Sequence, residues 1–533
     1  MTRIKSIKEK HLFYSVLFFN LFFISTVMYY PSLDGPTHLY NSNAISFILK
    51  GNGGALQTFL TFNNCFIPNW TSHFIMSAIC LFSPAWIAEK IFLFLYIIGM
   101  SVTFRLLIRT ISPDNLYLSV LIFPFIYSFL FHVGFYNFSI SFIFLFFALY
   151  YWIHNRNKKG ILKHLILSFV ILLCYYSNIL TFGFLGLSLG LFIIVFGISD
   201  NNKQLSYILY KKIIKDLIIL FLLSLPCLLF FIIFFKTNIF FPTENRYCLQ
   251  ESTKFIIDVK SLISFDYIGE VKITRLFFYL FIGIFIISSV LKYRKKNSKD
   301  FSSMFRKYDI LLLPALLSLI LYYIEHNGSE AGMMSDRYNL MFYMLLIIWM
   351  ATQQLPKIIS QIFMILVVIL HLGLLFKNQN GTIRGLNIDA LSIVEASKHV
   401  ESNSIVLPID MTDNWLEKHF SNYLGINKPL ILLENYEASV NWFPLKLNND
   451  ILPNVQLGNK DIVSGLTWIT NPKSSNIKQI DYVLLYGIIT KINDNRWLEL
   501  KNILNQKYNL VYSSPNNYIG LYNNSSFKTN LNI

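Results

Sequence analysis

Residues 30–41 read Tyr-Pro-Ser-Leu-Asp-Gly-Pro-Thr-His-Leu-Tyr-Asn and begin where the first long apolar run of the chain ends. Pro31 and Pro36 flank Asp34, so the backbone must turn here and cannot simply continue the preceding helix. If a helix restarts after the turn, a proline suits its first position, and Asp34 lies at its positive end. The stretch therefore predicts an ionised carboxylate and the His38 imidazole at a membrane surface. The alternative is that Asp34 only caps the helix.

Composition sets the class of protein. Hydrophobic residues make up 54% of the 533 residues, with 50 Phe and 31 Tyr, which is too apolar for an ordinary soluble protein. The formal charge of +16 would suit nucleic acid, but the charges lie in loops between apolar runs, so we predict no nucleic-acid partner. The five cysteines lack close pairing, and they indicate neither a cysteine zinc site nor a disulfide framework.

Apolar runs predict about 11 transmembrane helices in residues 1–376. The first follows a basic N-terminus but is long enough to span a bilayer and has no small-residue cleavage site, so we interpret it as a retained helix. The runs cover residues 12–30, 86–108, 115–131, 135–153, 161–177, 179–197, 213–235, 274–292, 309–324, 338–352 and 358–376.

Basic residues predict the orientation of these helices. Alternating the loops along the runs places 22 lysines and arginines in one set and 8 in the other. The positive-inside rule puts the richer set, with the N-terminus, in the cytoplasm. Outer loops are then predicted at residues 31–84 and 236–273, and the odd number of crossings puts residues 377–533 outside with Asp34.

Residues 377–533 differ in pattern from the rest of the chain. Long apolar runs give way to short β-rich runs, separated in places by helical patterns at residues 388–400 and after Asp494. This predicts a separate α/β domain, and about 150 residues are enough to bury its own core. The β-rich runs are residues 404–407, 430–433, 482–486, 510–512 and 518–522.

Polar residues at the predicted outer ends form a pool of site candidates, because intramembrane polar groups tend to face a cavity or a partner. For His132 and Asn178 the more common role is helix-end hydrogen bonding. Asp336 and Arg337 could form only a local ion pair, although an arginine fork at an outer helix mouth also suits a phosphate. Besides Asp34 and His38, the pool includes Asn63, Asn64, Asn69, Trp70, His73, His132, Tyr136, Asn137, Asn178, Glu244, Arg246, Asp266, Glu325, His326, Arg337 and Tyr338.

The arrangement resembles the GT-C class of integral-membrane glycosyltransferases. The first helix leads into a long outer loop that starts with an acidic residue, many helices follow, and the chain ends in an outer α/β domain. In sequence the resemblance rests on Leu33-Asp34-Gly35-Pro36-Thr37-His38-Leu39-Tyr40, Pro68-Asn69-Trp70, Gly134-Phe135-Tyr136-Asn137 and Asp336-Arg337-Tyr338.

The resemblance implies transfer of a sugar from a polyprenyl-phosphate-linked donor to a glycan, lipid or protein acceptor on the outer face. It implies Asp34 as the catalytic carboxylate, with His38 either orienting it or holding a divalent metal ion with it, and Arg337 with Arg246 at the lipid phosphate. Many members of the class carry a second acidic residue beside the first or at the end of a later helix, where this chain has Gly35 and His132. This leaves metal dependence open, with Glu244 and Asp266 as candidates for a second carboxylate. The expected substrate-cavity residues are Tyr40, Asn69, Trp70, His132, Tyr136, Asn137, Asn178 and Tyr338.

Two other classes of function remain open from the sequence. A transporter or flippase of envelope glycolipids would also have many helices, but it should carry broken or ionisable helices near the bilayer midplane, where this chain has only Lys90 and Pro226. A non-catalytic envelope assembly protein could keep the same fold. The richness in Ile, Asn, Lys and Phe is typical of an AT-rich genome, so we expect a bacterial inner membrane with residues 377–533 in the periplasm.

Overall fold

The computed structural model describes residues 9–200, 207–238, 247–294, 307–325, 332–448, 450–451 and 480–525. Its contacts divide the chain into two compact units. The first, called the helical unit, comprises Met1–Ile24 and Phe94–Asn380. The second, called the sheet unit, comprises Ser25–Leu93 and Gly381–Ile533. The segment expected to form the first outer loop therefore packs with the C-terminal part of the chain.

The α-helices follow the apolar runs of the sequence closely. They are α1 (Glu9–Ser25), α2 (Gly35–Leu49), α3 (Leu56–Phe59), α4 (Thr71–Cys80), α5 (Ala85–Ile111), α6 (Phe123–Ile126), α7 (Phe129–His132), α8 (Tyr136–Asn155), α9 (Leu162–Ser177), α10 (Ile179–Asp200), α11 (Tyr207–Thr237), α12 (Leu249–Ile257), α13 (Tyr267–Arg294), α14 (Leu312–Ile324), α15 (Met334–Ala351), α16 (Lys357–Asn378), α17 (Arg384–Ala396), α18 (Tyr436–Ser439) and α19 (Leu498–Lys507). Shorter 3₁₀ helices cover Pro113–Ile122, Lys260–Leu262, Lys307–Leu311, Ser397–His399, Trp415–Glu417, Phe420–Gly425, Ile489–Asn493 and Asn495–Trp497, and Gln379–Ile383 forms a π-helix.

Eight helical segments within the described residues are long and apolar enough to cross a membrane, which fits the predicted multi-pass membrane protein. Three predicted crossings are not among these segments: α1 and α9 have only 17 and 16 residues, and α15 has 18. The total of about 11 crossings therefore stays a prediction. The eight segments are Ala85–Ile111, Pro113–His132, Tyr136–Asn155, Ile179–Ser199, Leu209–Thr237, Tyr267–Arg294, Lys307–Ile324 and Lys357–His399.

The predicted crossing at residues 115–131 lies within the candidate span Pro113–His132, but it is not one continuous α-helix. This run consists of the 3₁₀ helix Pro113–Ile122 followed by α6 and α7. Tyr127 leaves the helical region with φ −99° and ψ 47°. Ser128 then restarts the helix, since its side chain accepts a hydrogen bond from the backbone N–H of Phe131.

All five predicted β-rich runs form strands, and they make one five-stranded sheet in the order β3-β2-β5-β7-β6. The central strands β2 and β5 run parallel and are buried almost throughout, as expected for strands covered on both faces. The α/β character predicted for the C-terminal region is thus confirmed. The strands are β1 (Leu60–Phe62), β2 (Ile405–Met411), β3 (Ile431–Leu432), β4 (Leu445–Leu447), β5 (Tyr482–Gly487), β6 (Tyr508–Ser513) and β7 (Ile519–Asn524).

The residue 31–84 segment is built into the sheet unit in two ways. Its strand β1 pairs antiparallel with β4, with Leu60 opposite Leu447. Its apolar residues Ile45 and Phe59 belong to the same core cluster as Leu407 and Leu485 of the sheet. Burial of this shared apolar surface holds α2, which follows Asp34, against the C-terminal chain.

Candidate active site

The turn before α2 presents the Asp34 side chain away from the helix end. Asp34 occupies the N-cap position with φ −91° and ψ −14°, and Pro36 lies in the first turn of α2. Its side chain makes no capping hydrogen bond, so the alternative that Asp34 only caps the helix is wrong. Asp34 is nevertheless buried, with only 7% of its surface exposed. A buried carboxylate needs partners elsewhere.

These partners come from the C-terminal segment of the sheet unit. The Tyr436 hydroxyl donates a hydrogen bond to the Asp34 carboxylate. The His419 Nε2 atom lies 3.7 Å from Asp34 Oδ1. The His419 ring stacks on the Tyr436 ring with their centroids 4.4 Å apart, which fixes both side chains relative to each other.

Glu434 holds the other side of the His419 ring. One of its carboxylate oxygens, Oε1, accepts a hydrogen bond from His419 Nδ1. The second oxygen accepts hydrogen bonds from Ser421 Oγ at 2.9 Å and from Asn422 Nδ2 at 2.6 Å. The Nδ1 proton is therefore committed to Glu434, and Nε2 is the atom that faces Asp34.

Burial and nearby charges shift the pKa values of both Asp34 and His419. Burial raises the pKa of the Asp34 carboxyl above its usual value, and the nearby His419 and His38 oppose this only in part. Burial alone would lower the pKa of His419, but the Glu434 carboxylate outweighs burial and raises it. The result is a carboxylate of increased basicity beside an imidazole whose charged form is favoured.

A second buried cluster lies one helical turn along α2. His38 Nδ1 lies 2.8 Å from Glu437 Oε1, and His73 Nε2 on α4 lies 2.8 Å from Glu437 Oε2. The two imidazole nitrogens are 3.2 Å apart. Among the residues that the structure describes, this is the one group of three His, Cys, Asp or Glu side chains that converge closely enough to hold a metal ion. We call it the His-His-Glu cluster.

Glu437 is fixed from behind by amides. Asn41 Nδ2 donates to Glu437 Oε2 at 2.7 Å, and Asn41 and Asn435 exchange hydrogen bonds between their side chains. Burial alone would raise the pKa of the Glu437 carboxyl, but His38 and His73 overcome burial and hold it well below its usual value. The cluster therefore contains a fully buried, ionised carboxylate.

The other predicted residues of the sheet unit tie the residue 31–84 segment to the C-terminal chain. The Tyr40 hydroxyl donates to the Leu430 carbonyl at 2.6 Å. Asn69 has a left-handed backbone, φ 65°, and its side chain donates to the Trp442 carbonyl at 3.2 Å. Trp70 occupies the N-cap position of α4. These contacts position the loop, and whether the residues also line a substrate cavity stays a prediction.

In the helical unit, Arg337 meets the predicted Gly134–Asn137 motif. Its guanidinium lies over the Phe135 ring, 4.4 Å from the centroid, and its Nε donates to the Gly332 carbonyl at 3.1 Å. Asp336, the suggested partner of a local ion pair with Arg337, pairs with Lys260 at 2.8 Å.

The remaining predicted residues of the helical unit are buried near helix ends. Tyr136 and Asn137 begin α8, and the His132 ring packs edge-on against Phe265 with a centroid distance of 4.5 Å. Asn178 caps α10 by accepting hydrogen bonds from the backbone N–H groups of residues 180 and 181, the more common role noted above. Tyr338 lies in the first turns of α15. Arg246 lies outside the described residues.

Four residues of the two clusters were missed by sequence reasoning, namely His419, Glu434, Tyr436 and Glu437. A signal was present, because residues 434–437 directly follow the parallel strand β3, and ligands tend to bind beyond the carboxyl ends of parallel strands. His73 was among the outer polar residues but had no assigned role. The C-terminal region was expected to be a separate domain, so its polar residues were not considered together with Asp34.

Comparison with known proteins gives structural matches only. No protein-family model matches the sequence, and no curated protein matches it. Two solved structures share the fold: ArnT from Cupriavidus metallidurans bound to undecaprenyl phosphate, with a TM-score of 0.54, and the same protein in the apo state, with a TM-score of 0.53. Sequence identity is 9% in both. The first match covers 97% of this chain and 98% of ArnT, and the second covers 96% and 97%.

Proposed function

We propose that this multi-pass membrane protein, which has the fold of ArnT and of the GT-C class expected from its sequence, is a glycosyltransferase with a polyprenyl-phosphate-linked sugar donor. Fold alone does not specify chemistry, so the proposal must rest on the site. Two facts support it together. The similarity to ArnT, solved with a bound undecaprenyl phosphate, extends over nearly the full length of both chains. The chain also carries a buried carboxylate at the turn where the class is expected to have one.

The observation that carries the proposal is the environment of Asp34. Its carboxylate does not cap α2, is buried, and is held by Tyr436 beside the His419 ring, whose pKa is raised. A catalytic base works best when its pKa lies near the working pH, and the raised pKa of Asp34 is a shift in that direction.

The reaction that we propose is a single displacement. Asp34 accepts the proton of an acceptor hydroxyl, whose oxygen forms a bond to the anomeric carbon of the donor sugar. The bond between that carbon and the phosphate oxygen breaks, and its electron pair stays on the polyprenyl phosphate. His419 keeps Asp34 oriented and, as a cation, favours its ionised form. The acceptor is a hydroxyl-bearing glycan, lipid or protein at the outer face of the membrane that holds this protein.

Arg337 is the proposed ligand of the lipid phosphate. It lies in the first turn of α15, where the helix dipole adds to its own charge. The Phe135 ring beneath its guanidinium restricts the side chain, so less entropy is lost on binding an anion. Arg246 stays a second predicted ligand.

The proposal is tested by turnover of a lipid-linked sugar. Membranes that contain the full chain should release polyprenyl phosphate from a polyprenyl-phosphate sugar only when an acceptor is supplied. Replacing Arg337 by Ala should raise KM for the donor about ten- to hundredfold, because a charge-assisted bidentate contact is lost. The KM of Arg337→Lys should lie between the values of the wild type and of Arg337→Ala. The exposed Arg109→Ala is the control. Movement of the intact donor lipid without release of polyprenyl phosphate would instead support a transporter. Absence of reaction with every acceptor would support a non-catalytic role.

We further propose that the protein lies in a bacterial inner membrane with its N-terminus in the cytoplasm and the sheet unit outside. Native cysteines allow a direct test, because Cys65 and Cys248 are exposed while Cys80, Cys174 and Cys227 are buried. A membrane-impermeant maleimide should label intact cells, and the label should fall stepwise in Cys65→Ser and then in the double variant with Cys248→Ser. A cysteine in place of Lys159 should react only after permeabilisation. Reaction of residue 159 in intact cells, with Cys65 protected, would reverse the orientation.

A further inference from the structure

The His-His-Glu cluster has the donor set of a metal site. Its donor atoms are His38 Nδ1, His73 Nε2 and the two oxygens of Glu437, separated by 2.8, 2.8 and 3.2 Å. At metal–ligand distances of about 2.0–2.2 Å, the ligands of a tetrahedral zinc ion lie about 3.3–3.6 Å apart. To reach that geometry, the two 2.8 Å separations need to open by roughly 0.5–0.8 Å and the 3.2 Å separation by roughly 0.1–0.4 Å.

Hydrogen bonds within the His-His-Glu cluster do not fully satisfy its buried polar atoms. The His73 ring donates to the carbonyl of Asn69, and since Nε2 faces Glu437, Nδ1 is the donor. A neutral His73 therefore turns an Nε2 lone pair towards a carboxylate oxygen 2.8 Å away. The other oxygen, Glu437 Oε1, is fully buried, lies 2.8 Å from His38 Nδ1 and makes no further hydrogen bond among the described residues. A cation bound between His38 Nδ1, His73 Nε2 and the Glu437 carboxylate would satisfy these buried atoms together.

We propose that His38, His73 and Glu437 bind one divalent zinc-type metal ion. This inference goes beyond the proposed glycosyl transfer and does not depend on it. Asp34 is not a ligand in this arrangement, since its partners are Tyr436 and His419. The sequence-based alternative in which His38 and Asp34 hold a metal together is therefore replaced by a site that uses His38 with two other residues.

The donor chemistry selects the class of ion. Two imidazole nitrogens and one carboxylate oxygen suit Zn²⁺ and its late transition-metal neighbours, whereas Mg²⁺ and Ca²⁺ favour all-oxygen sites. Three protein ligands leave a fourth tetrahedral position for water or another small ligand. The carboxylate also balances part of the charge of the ion, which lowers the cost of burying it.

The surroundings support the ligands as they do in metal sites generally. Metal-binding histidines usually donate their second ring N–H to a carbonyl or carboxylate, as His73 does to Asn69. The Glu437 carboxylate is oriented by Asn41, itself paired with Asn435. The Phe443 ring lies 5.9 Å from both imidazole rings and forms an apolar wall. This shell limits solvent access to the ion.

The site joins three segments that are distant in the sequence. His38 lies on α2, His73 on α4, and Glu437 in the first turn of α18. A metal ion bound to all three cross-links the residue 31–84 segment to the C-terminal chain and constrains the sheet unit. Because Asp34 directly precedes α2 and Tyr436 directly precedes Glu437, the ion would also fix the partners of the Asp34 site without touching them.

The test measures metal content and thermal stability of the full chain in detergent, purified with a tag that lacks histidine. The wild-type protein should hold about one zinc per chain, and a chelator should lower its Tm by roughly 5 °C or more, with recovery on addition of ZnCl₂. Substituted Co²⁺ should give the visible absorption of a tetrahedral site. None of these readouts needs turnover, so failure of the glycosyltransferase proposal would leave them unchanged.

Matched variants locate the ion. His73→Gln and Glu437→Gln should each reduce bound zinc to about a tenth or less, and Asn41→Ala should weaken zinc affinity about ten- to a hundredfold through the lost orienting hydrogen bond. His399→Gln, which changes an exposed histidine of the same unit stacked on Tyr512, should keep full zinc content. Wild-type protein without stoichiometric zinc and without a zinc-dependent Tm, or equal zinc in the His73 and Glu437 variants, would overturn the assignment. Preference for Mg²⁺ would contradict the ion class.

Discussion

Replacing Asp34 by Asn should abolish sugar transfer and leave the protein folded. The amide has nearly the same shape as the carboxylate but cannot accept the proton of the acceptor hydroxyl, and loss of a general base typically costs about 10²–10⁴-fold in rate. The expected loss of stability is small. Asp34 makes no capping hydrogen bond, so even the roughly 1 kcal/mol of a lost N-cap should not be incurred.

The measurement compares release of polyprenyl phosphate, Tm and zinc content in the same preparation. Asp413→Asn is the control, because this carboxylate belongs to the same unit, is 76% exposed and pairs only at the surface with Lys491. It should behave as wild type. Asp34→Asn should retain zinc, since Asp34 is not part of the His-His-Glu cluster. Undiminished transfer by Asp34→Asn would refute the catalytic assignment, and a large fall in Tm would show a structural role instead.

Short stretches of sequence were enough to predict those turns and strands that neighbouring residues in the chain determine. The turn at Asp34 follows from two flanking prolines, and all five strands of the main sheet follow from short β-rich runs. The strands β1 and β4 were missed because each has only three residues and finds its partner hundreds of residues away. Likewise, Ser128 and Tyr127 interrupt an apolar run that pattern alone treats as one helix.

The site could be predicted only in part for the same reason. Asp34 and His38 were found because they share one turn with a distinctive pattern of prolines and glycine. Their partners His419 and Glu437 reach them through the tertiary packing of a region that composition marks as a separate domain. Pairing energies of buried charges depend on such packing, and spacing along the chain carries no information about it. The rule for the carboxyl ends of parallel strands was the one usable signal.

The role of His419 predicts a change in the shape of the pH profile. Transfer requires ionised Asp34, so kcat/KM should fall about tenfold per pH unit below the raised pKa of that carboxyl. The charge on His419 favours ionised Asp34, so His419→Gln should move the acid limb to higher pH. Tyr436→Phe should move it in the same direction, because the lost hydroxyl hydrogen bond also favoured the ionised carboxylate.

The Glu434→Gln variant tests whether Glu434 acts by favouring the charged form of His419 or only by holding the ring in place. Glu434 raises the pKa of His419, so its neutral replacement should let the imidazole lose its proton at lower pH. The acid limb set by Asp34 should then move to higher pH, because part of the His419 charge that favours the ionised carboxylate is lost. His399→Gln should leave the acid limb in place. A structural role for Glu434 would lower the rate equally at every pH, and an unchanged profile in all three site variants would remove His419 from the mechanism while leaving Asp34 as the base.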